Sequence, residues 1–144
     1  MTVPEGYVPH DRASPLTAPW EPLFARREAA SVKLGLEIRL AHTNSRGLLH
    51  GGLISTLADN AMGLSLAARL TEEGRPANSL VTTSLSVDFV ASAACGQWLE
   101  IDPVVIHAGG GQGVVQALAR ADGKVIARAS ATFRFRHEHI RGDT

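Results

Sequence analysis

The order of hydrophobic and polar residues predicts one strand, one long helix and then four more strands. From Leu34 to Leu40, leucine and isoleucine alternate with polar residues or glycine, which is the two-residue period of a strand with one buried face. Between residues 53 and 70 the apolar residues instead recur every three or four positions, the period of a helix with a broad buried face. No other long segment has this spacing, so we expect a single long helix.

Four segments after the helix have strand-like patterns: residues 80–90, 97–107, 113–121 and 124–136. In the first of them Thr83, Leu85, Val87 and Phe89 alternate with Thr82, Ser84, Ser86 and Asp88. Pro103 suits a bulge or an edge strand, and Asp122-Gly123 is a strong signal for a two-residue hairpin turn. An antiparallel sheet with one apolar face must cover that face, and one apolar helix is at hand. The sequence therefore predicts an α+β fold with an antiparallel sheet wrapped around one long central helix.

Prolines set the start of the chain apart from the rest. Five of the seven lie among the first 22 residues: Pro4, Pro9, Pro15, Pro19 and Pro22. Such spacing interrupts helices and central strands, so we interpret residues 1–18 as an arm that lies on the body or is mobile. Residues 20–31 are predicted to form a short helix with Pro22 near its first turn. The expected division is this arm, a single domain over 19–139 and a tail over 140–144.

Composition excludes several classes of protein. A length of 144 residues fits one domain, and 14 basic against 14 acidic side chains argue against a nucleic-acid partner. The single cysteine, Cys95, excludes an internal disulfide and a multi-cysteine zinc site. No apolar run approaches the ~20 residues of a membrane span, and the first residues lack the pattern of a secretory signal. We therefore expect a cytoplasmic protein without a membrane partner.

The glycines at the predicted start of the helix are candidate binding groups. Gly51 and Gly52 follow His50 directly, so their N–H groups are among the donors without a helical partner at the positive end of the helix. Such donors suit an oxyanion, for example the one formed when a thioester carbonyl is attacked. The alternative is that the three residues only turn a loop into a helix.

Asp59 is the sharpest candidate for catalysis, because it lies within the apolar helix. A carboxylate buried there is costly unless it is paired, hydrogen-bonded or functional; the alternative is a solvated side chain on the polar strip with Ser55 and Asn60. Asp59 follows Gly51 by eight residues, about 12 Å along a helix axis, so it cannot reach a carbonyl held at its own Gly51. A symmetric dimer with antiparallel helices would bring each Asp59 toward the partner's glycine. The catalytic interpretation therefore requires an oligomer.

The remaining histidines and the glycine-rich segment 108–113 are weaker candidates for a functional site. His42, His50 and His107 do not stand at ligand spacing with a second histidine or carboxylate, so no metal site is predicted, and no cofactor. The segment AGGGQG over 108–113 lacks the Lys-Ser/Thr of a phosphate-binding loop and favours a wide hairpin turn.

Taken together, Asn44, His50-Gly51-Gly52 and Asp59 resemble the hot-dog-fold acyl-CoA thioesterases of the phenylacetate-pathway (PaaI-like) branch, over about residues 33–136. The resemblance implies a hot-dog fold and hydrolysis of an acyl-CoA thioester. It implies that Asp59 activates water or acts as a nucleophile, while the partner subunit supplies the polarising N–H of its own Gly51. It also implies homodimers that pair into tetramers.

The resemblance assigns further residues. Asn44 and His50 would orient the water or hold the loop, and Thr82 would place a hydroxyl near the water. The substrate-binding positions would be Gly52, Phe89, Val90, Ala91, His107, Gly109, Gly110 and Gly111, with the pantetheine between 89–91 and the 107–112 turn. Relatives often have a basic residue in that turn, which is uncharged here. Arg134, Arg136 or Arg46 could replace it as a phosphate contact.

Two other functions remain open at this point. The chain could be a non-catalytic acyl-CoA or small-ligand binding protein on the same scaffold, which a merely solvated Asp59 would favour. A hot-dog dehydratase acting on hydroxyacyl thioesters fits less well, because only His50 offers a second acid–base group at the helix start. The acyl group, aryl or straight-chain, is left open, since residues of two subunits would shape its pocket.

Overall fold

A computed structural model describes residues 2–12 and 14–137. The predicted tail, 140–144, and the last two residues of the predicted domain lie outside this range. The sheet strands are β1 (Val8–Pro9), β2 (Phe24–Glu28), β3 (Ser31–Glu37), β4 (Ala77–Phe89), β5 (Trp98–Ala108), β6 (Gln112–Ala121) and β7 (Lys124–His137). One α-helix, α1 (Gly51–Glu72), and two 3₁₀ turns, Ala18–Trp20 and Leu40–His42, complete the elements.

The strands form one antiparallel sheet in the order β1-β2-β3-β5-β6-β7-β4, and α1 packs against its concave face. On the helix, Leu57, Met62, Leu66 and Leu70 are fully buried, and strand residues such as Phe133 meet them from the sheet. The predicted α+β fold, a sheet around one central helix, is confirmed. No helix in the described residues is long and apolar enough to cross a membrane.

The prediction of a helix over residues 20–31 is wrong, because part of that segment is strand β2. Leu23 and Ala25 are buried while Arg26 is exposed, and β2 pairs with β3 through a tight hairpin from Glu28 to Ser31. The ladder to β3 satisfies the backbone groups that a helix would otherwise pair internally. The predicted strand also ends earlier than expected: Leu40 lies in a 3₁₀ turn and is 78% exposed.

Strand β4 contains a β-bulge that changes which side chains face the helix. The register with β7 shifts between Thr82 and Ser84, so Thr82 pairs with buried Phe133 and Leu85 with buried Ala131. Both side chains therefore face α1, although they are three positions apart. The predicted alternation grouped Thr83 with Leu85, and this is wrong: the Thr83 hydroxyl lies on the other face.

The sequence predicts local features at two positions in the later strands, a turn at Asp122-Gly123 and a bulge or edge strand at Pro103. Asp122 and Gly123 have φ values of 46° and 83°, so the predicted two-residue hairpin between β6 and β7 is confirmed. Pro103 lies in β5, which is not an edge strand, since it pairs with both β3 and β6. The last register pair with β3 is at Ile101, so Pro103 lies where that ladder has ended, and the bulge comes later, between Val105 and His107.

Candidate active site

The loop before α1 is shaped by two of the predicted site residues. The side-chain oxygen of Asn44 accepts hydrogen bonds from the backbone N–H groups of Arg46, at 2.9 Å, and Leu48, at 3.2 Å. His50 is the N-cap of α1, and its Nδ1 accepts from the N–H of Gly52 at 2.8 Å. Both side chains thus hold the loop and the helix start, and the N–H of Gly52 is already used within the chain.

Gly51, at the same end of the helix, differs from Gly52 in the pairing of its backbone N–H group. Within residues 2–12 and 14–137, no acceptor pairs with its N–H, whereas the N–H groups of Leu53 and Ile54 bond back to the carbonyl of His50. A Cβ on Gly51 would lie 3.1 Å from Cζ of Phe89, so glycine allows this aromatic ring to lie against the helix start. The Gly51 N–H is therefore a donor at the positive end of the helix, where a developing negative charge would be stabilised.

Asp59 and Thr82 form the second half of the candidate site. The Thr82 hydroxyl donates a hydrogen bond of 2.6 Å to Oδ1 of Asp59, a half-buried carboxylate on α1. The bulge in β4 makes this contact possible, since it turns Thr82 toward the helix. Asp59 is therefore not simply a solvated side chain on a polar strip: one oxygen is oriented by a neighbouring hydroxyl.

A cavity of about 480 Å³ opens beside Asp59 and Thr82. Its apolar lining comes from the helix and sheet: Gly63, Leu64, Ala67, Ala77, Leu80 and Phe133. Its polar lining comes from Asn60, Asn78 and three residues of the N-terminal segment, His10, Arg12 and Ser14. Sequence reasoning missed these arm residues, because nothing local ties a proline-rich segment to a distant helix. Tyr7 was the sequence feature that could have indicated this placement, because an aromatic side chain can anchor such an arm to the domain.

The glycine turn forms a separate concave region near the other end of α1. His107, Gln112, Arg134 and the three glycines 109–111 line an open space of about 780 Å³. Arg75, just past the end of α1, donates to the carbonyls of Gly109, at 2.9 Å, and Ala108, at 3.0 Å. The predicted hairpin is confirmed, but the prediction that it is wide is wrong: the N–H of Gly109 donates to the carbonyl of Gln112 at 2.9 Å, so two glycines make the turn. The turn itself contains no charged residue, but Arg134 of β7 lies beside it.

Within one chain the predicted coenzyme A channel is not assembled. Phe89 lies against Gly51 at the start of α1, whereas the glycine turn lies near its end, where Arg75 binds it. A helix of 22 residues is about 33 Å long, so residues 89–91 and the 107–112 turn are far apart. Likewise, Gly51 and Asp59 remain about two helical turns apart. Only a second chain could bring either pair together.

His42 is a structural residue rather than a ligand or an acid–base group. It is buried, its Nδ1 accepts from the N–H of Arg39 at 2.9 Å, and its Nε2 lies 2.8 Å from the carbonyl of Trp20. Burial lowers its pKa below 6.5, so the ring is neutral with the proton on Nε2. In the part of the chain that the structure describes, no group of three histidine, cysteine or acidic side chains could hold a metal ion.

Comparison with known proteins identifies the family. The model described as the thioesterase superfamily matches residues 46–134, which span α1 and most of the four strands after it. The chain belongs to the thioesterase superfamily. A Pseudomonas aeruginosa protein named as an esterase is 37% identical over 134 residues, 92% of this chain and 97% of that protein. Human acyl-coenzyme A thioesterase 13 is 31% identical over 99 residues, 67% of either chain.

Two solved structures share the fold. The phenylacetic acid degradation protein PaaI of Thermus thermophilus, as a point variant, superposes with a TM-score of 0.68 at 23% identity, over 79% of this chain and 92% of that one. A hypothetical thioesterase protein of Streptococcus pneumoniae, solved with coenzyme A, gives a TM-score of 0.71 at 20% identity, over 83% and 92% of the two chains. The resemblance to PaaI-like thioesterases and the hot-dog fold are confirmed.

Proposed function

We propose that this thioesterase-superfamily enzyme hydrolyses acyl-CoA thioesters to a free acid and coenzyme A, at a site shared by two subunits. The observation that carries the proposal is the Asp59 carboxylate, oriented by the Thr82 hydroxyl at the edge of a cavity. The relation to human acyl-coenzyme A thioesterase 13 supports the class of substrate.

In the proposed reaction Asp59 acts as a general base. It takes a proton from a water molecule, whose oxygen attacks the thioester carbonyl carbon. The negative charge that develops on the carbonyl oxygen is stabilised by the N–H of Gly51 from the other subunit. The carbon–sulfur bond then breaks, the acid leaves, and the coenzyme A thiolate takes up a proton. Asn44 and His50 act indirectly, since their side chains hold the loop that presents Gly51.

The dimer follows from the separation within one chain and from an unpaired strand. Strand β4 pairs only with β7, so its other edge carries no partner strand in the described residues. Leu85 and Phe89 on this strand are 40% and 53% exposed. Exposed apolar side chains along a free edge favour association with a second strand. A two-fold axis beside β4 would place the helices antiparallel, with each Asp59 near the partner's Gly51; pairing of dimers into tetramers remains an expectation.

We propose that a phosphate group of coenzyme A binds Arg134. This exposed arginine lies beside the glycine turn, and a guanidinium there can bind a phosphate. Because the side chain is exposed, the contact should be weak and salt-sensitive. Acyl-CoA should therefore be preferred over the matching acyl-pantetheine at low salt, and the preference should fade at high salt. Equal kcat/KM for the two at low salt would show that the nucleotide is not recognised.

The function is tested by coenzyme A release from arylacetyl-, benzoyl- and straight-chain acyl-CoAs, followed with a thiol reagent. At least one substrate should be hydrolysed, and Asp59→Asn should lower kcat by about 10²-fold or more, because the amide keeps the shape and loses the base. Glu72→Gln, the same carboxylate-to-amide change at the exposed far end of α1, serves as the control. No release from any substrate, or wild-type kcat in a folded Asp59→Asn protein, would contradict the proposal.

A further inference from the structure

The N-terminal segment is fixed to the body on both sides of the residues that reach the cavity. On one side, buried Tyr7 donates a 2.6 Å hydrogen bond to Glu100, and its ring meets the ring of Trp98 edge-on at 5.2 Å. Burial raises the pKa of Tyr7, so the phenol stays protonated and donates. On the other side, Thr17 is buried, and the carbonyl of Trp20 lies 2.8 Å from Nε2 of buried His42.

Between these contacts, residues of the segment lie first on the sheet and then beside the cavity that contains Asp59. Strand β1 pairs with β2, and the N–H of His10 donates to the carbonyl of Leu23 at 2.9 Å. From there, His10, Arg12 and Ser14 form one wall of the cavity that contains Asp59. The arm therefore forms one wall of the candidate site, although it lies outside residues 46–134, the region that the family model matches.

The chemistry of this wall differs from that of the rest of the cavity. The floor is apolar, from Leu64 on the helix to Phe133 on the sheet, whereas the arm presents hydrogen-bonding groups. Burial lowers the pKa of His10, so the cation on this wall is Arg12. Among the residues that the structure describes, no carboxylate forms an ion pair with Arg12. An apolar floor under a cationic, hydrogen-bonding wall fits an acyl group that is mainly hydrocarbon but carries an oxygen function.

The cavity has room for such a group next to the proposed reacting atoms. Its helix side runs from Asp59 to Ala67, eight residues, or about 12 Å along the axis. A thioester carbonyl held near Asp59 would leave the remainder of the acyl group along this stretch, beneath the arm.

We propose that the arm selects acyl groups bearing a carboxylate remote from the thioester, with Arg12 as the residue that determines this preference. The inference rests on the proposed function for the position of the thioester. It extends that function by naming the class of acyl group.

Binding of thioether analogues tests the inference without hydrolysis. S-Hexyl-CoA, S-(6-hydroxyhexyl)-CoA and S-(5-carboxypentyl)-CoA have equal chain lengths and no carbonyl for Asp59 to act on. With the wild-type protein, calorimetry should give a Kd about tenfold lower for the carboxypentyl than for the hexyl analogue. The hydroxyhexyl analogue should lie between them.

The variant Arg12→Met keeps the length of the side chain and removes its charge. It should abolish the carboxylate preference and leave the Kd of S-hexyl-CoA within about twofold. Arg128→Met is the matched control, because Arg128 is 73% exposed on the outer face of the sheet and loses the same charge. Equal affinity of the wild type for the carboxypentyl and hexyl analogues, or a preference that survives Arg12→Met, would overturn the inference. Failure to hydrolyse thioesters would contradict only the proposed function.

Discussion

Replacing Thr82 by valine removes the hydroxyl that donates to Asp59 and keeps almost the same side-chain shape. The bond is short, 2.6 Å, and its acceptor is a carboxylate, a type of hydrogen bond that contributes about 1.5–3 kcal/mol when buried. Both side chains are partly exposed, so water replaces some of the interaction. We expect a loss of about 1 kcal/mol in transition-state stabilisation, or about fivefold in kcat/KM.

The assay is coenzyme A release over a range of substrate concentrations, so that kcat and KM are separated. Thr82→Ser keeps the hydroxyl and should restore most of the activity. Thr71→Val is the matched control, since it removes a hydroxyl from the exposed last turn of α1, away from both cavities. Wild-type kcat/KM for Thr82→Val, or an equal loss for Thr71→Val, would refute the reasoning that Thr82 orients the base.

Two further predictions concern stability. A Cβ on Gly113 would lie 2.5 Å from Cδ2 of buried Leu66, so Gly113→Ala should lower the free energy of unfolding by about 1–3 kcal/mol. Gly110→Ala, with nothing within 4 Å, should change it by less than about 0.5 kcal/mol in the same urea titration; similar losses for both would contradict the packing argument. Burial keeps His42 neutral in the folded state, whereas the unfolded state gains a proton below about pH 6.5. Its contribution to stability is therefore complete above that pH and decreases as the pH falls below it; unfolding titrations of His42→Gln should depend less on pH over this range, and an unchanged dependence would argue against it.

The fold was predictable from the sequence wherever a long segment keeps one period. The alternation in β3 and β7 and the helical spacing of α1 each specify a buried face, and Asp122-Gly123 can adopt the positive φ angles that its turn requires. Strand β2 was missed because its five residues alternate too briefly to outweigh the local preference for a helix. Its conformation depends on pairing with β3, which no local pattern records.

The candidate site was predictable only in part. Asp59 and Gly51 stand out because a carboxylate in an apolar helix and a glycine at a helix start are unusual in themselves. That Thr82 faces Asp59 depends on a bulge that simple alternation does not predict. The position of Arg12 depends on the contact between Tyr7 and Glu100, 93 residues apart in the sequence. The cytoplasmic location and the oligomeric state stay predictions.

The central claim, that two subunits share each active site, is tested most directly by complementation. Gly51→Pro removes the N–H donor at N1, a helix position where proline is tolerated, and Asp59→Asn removes the base; Gly51→Ala keeps the N–H and is the control for the added Cβ. Each inactive variant alone should show little hydrolysis. After subunit exchange, verified by native mass spectrometry, an equal mixture should recover about a quarter of the wild-type activity, because half of the dimers are mixed and each has one intact site. No recovery in verified mixed dimers, or full activity in a wild-type monomer, would contradict the account.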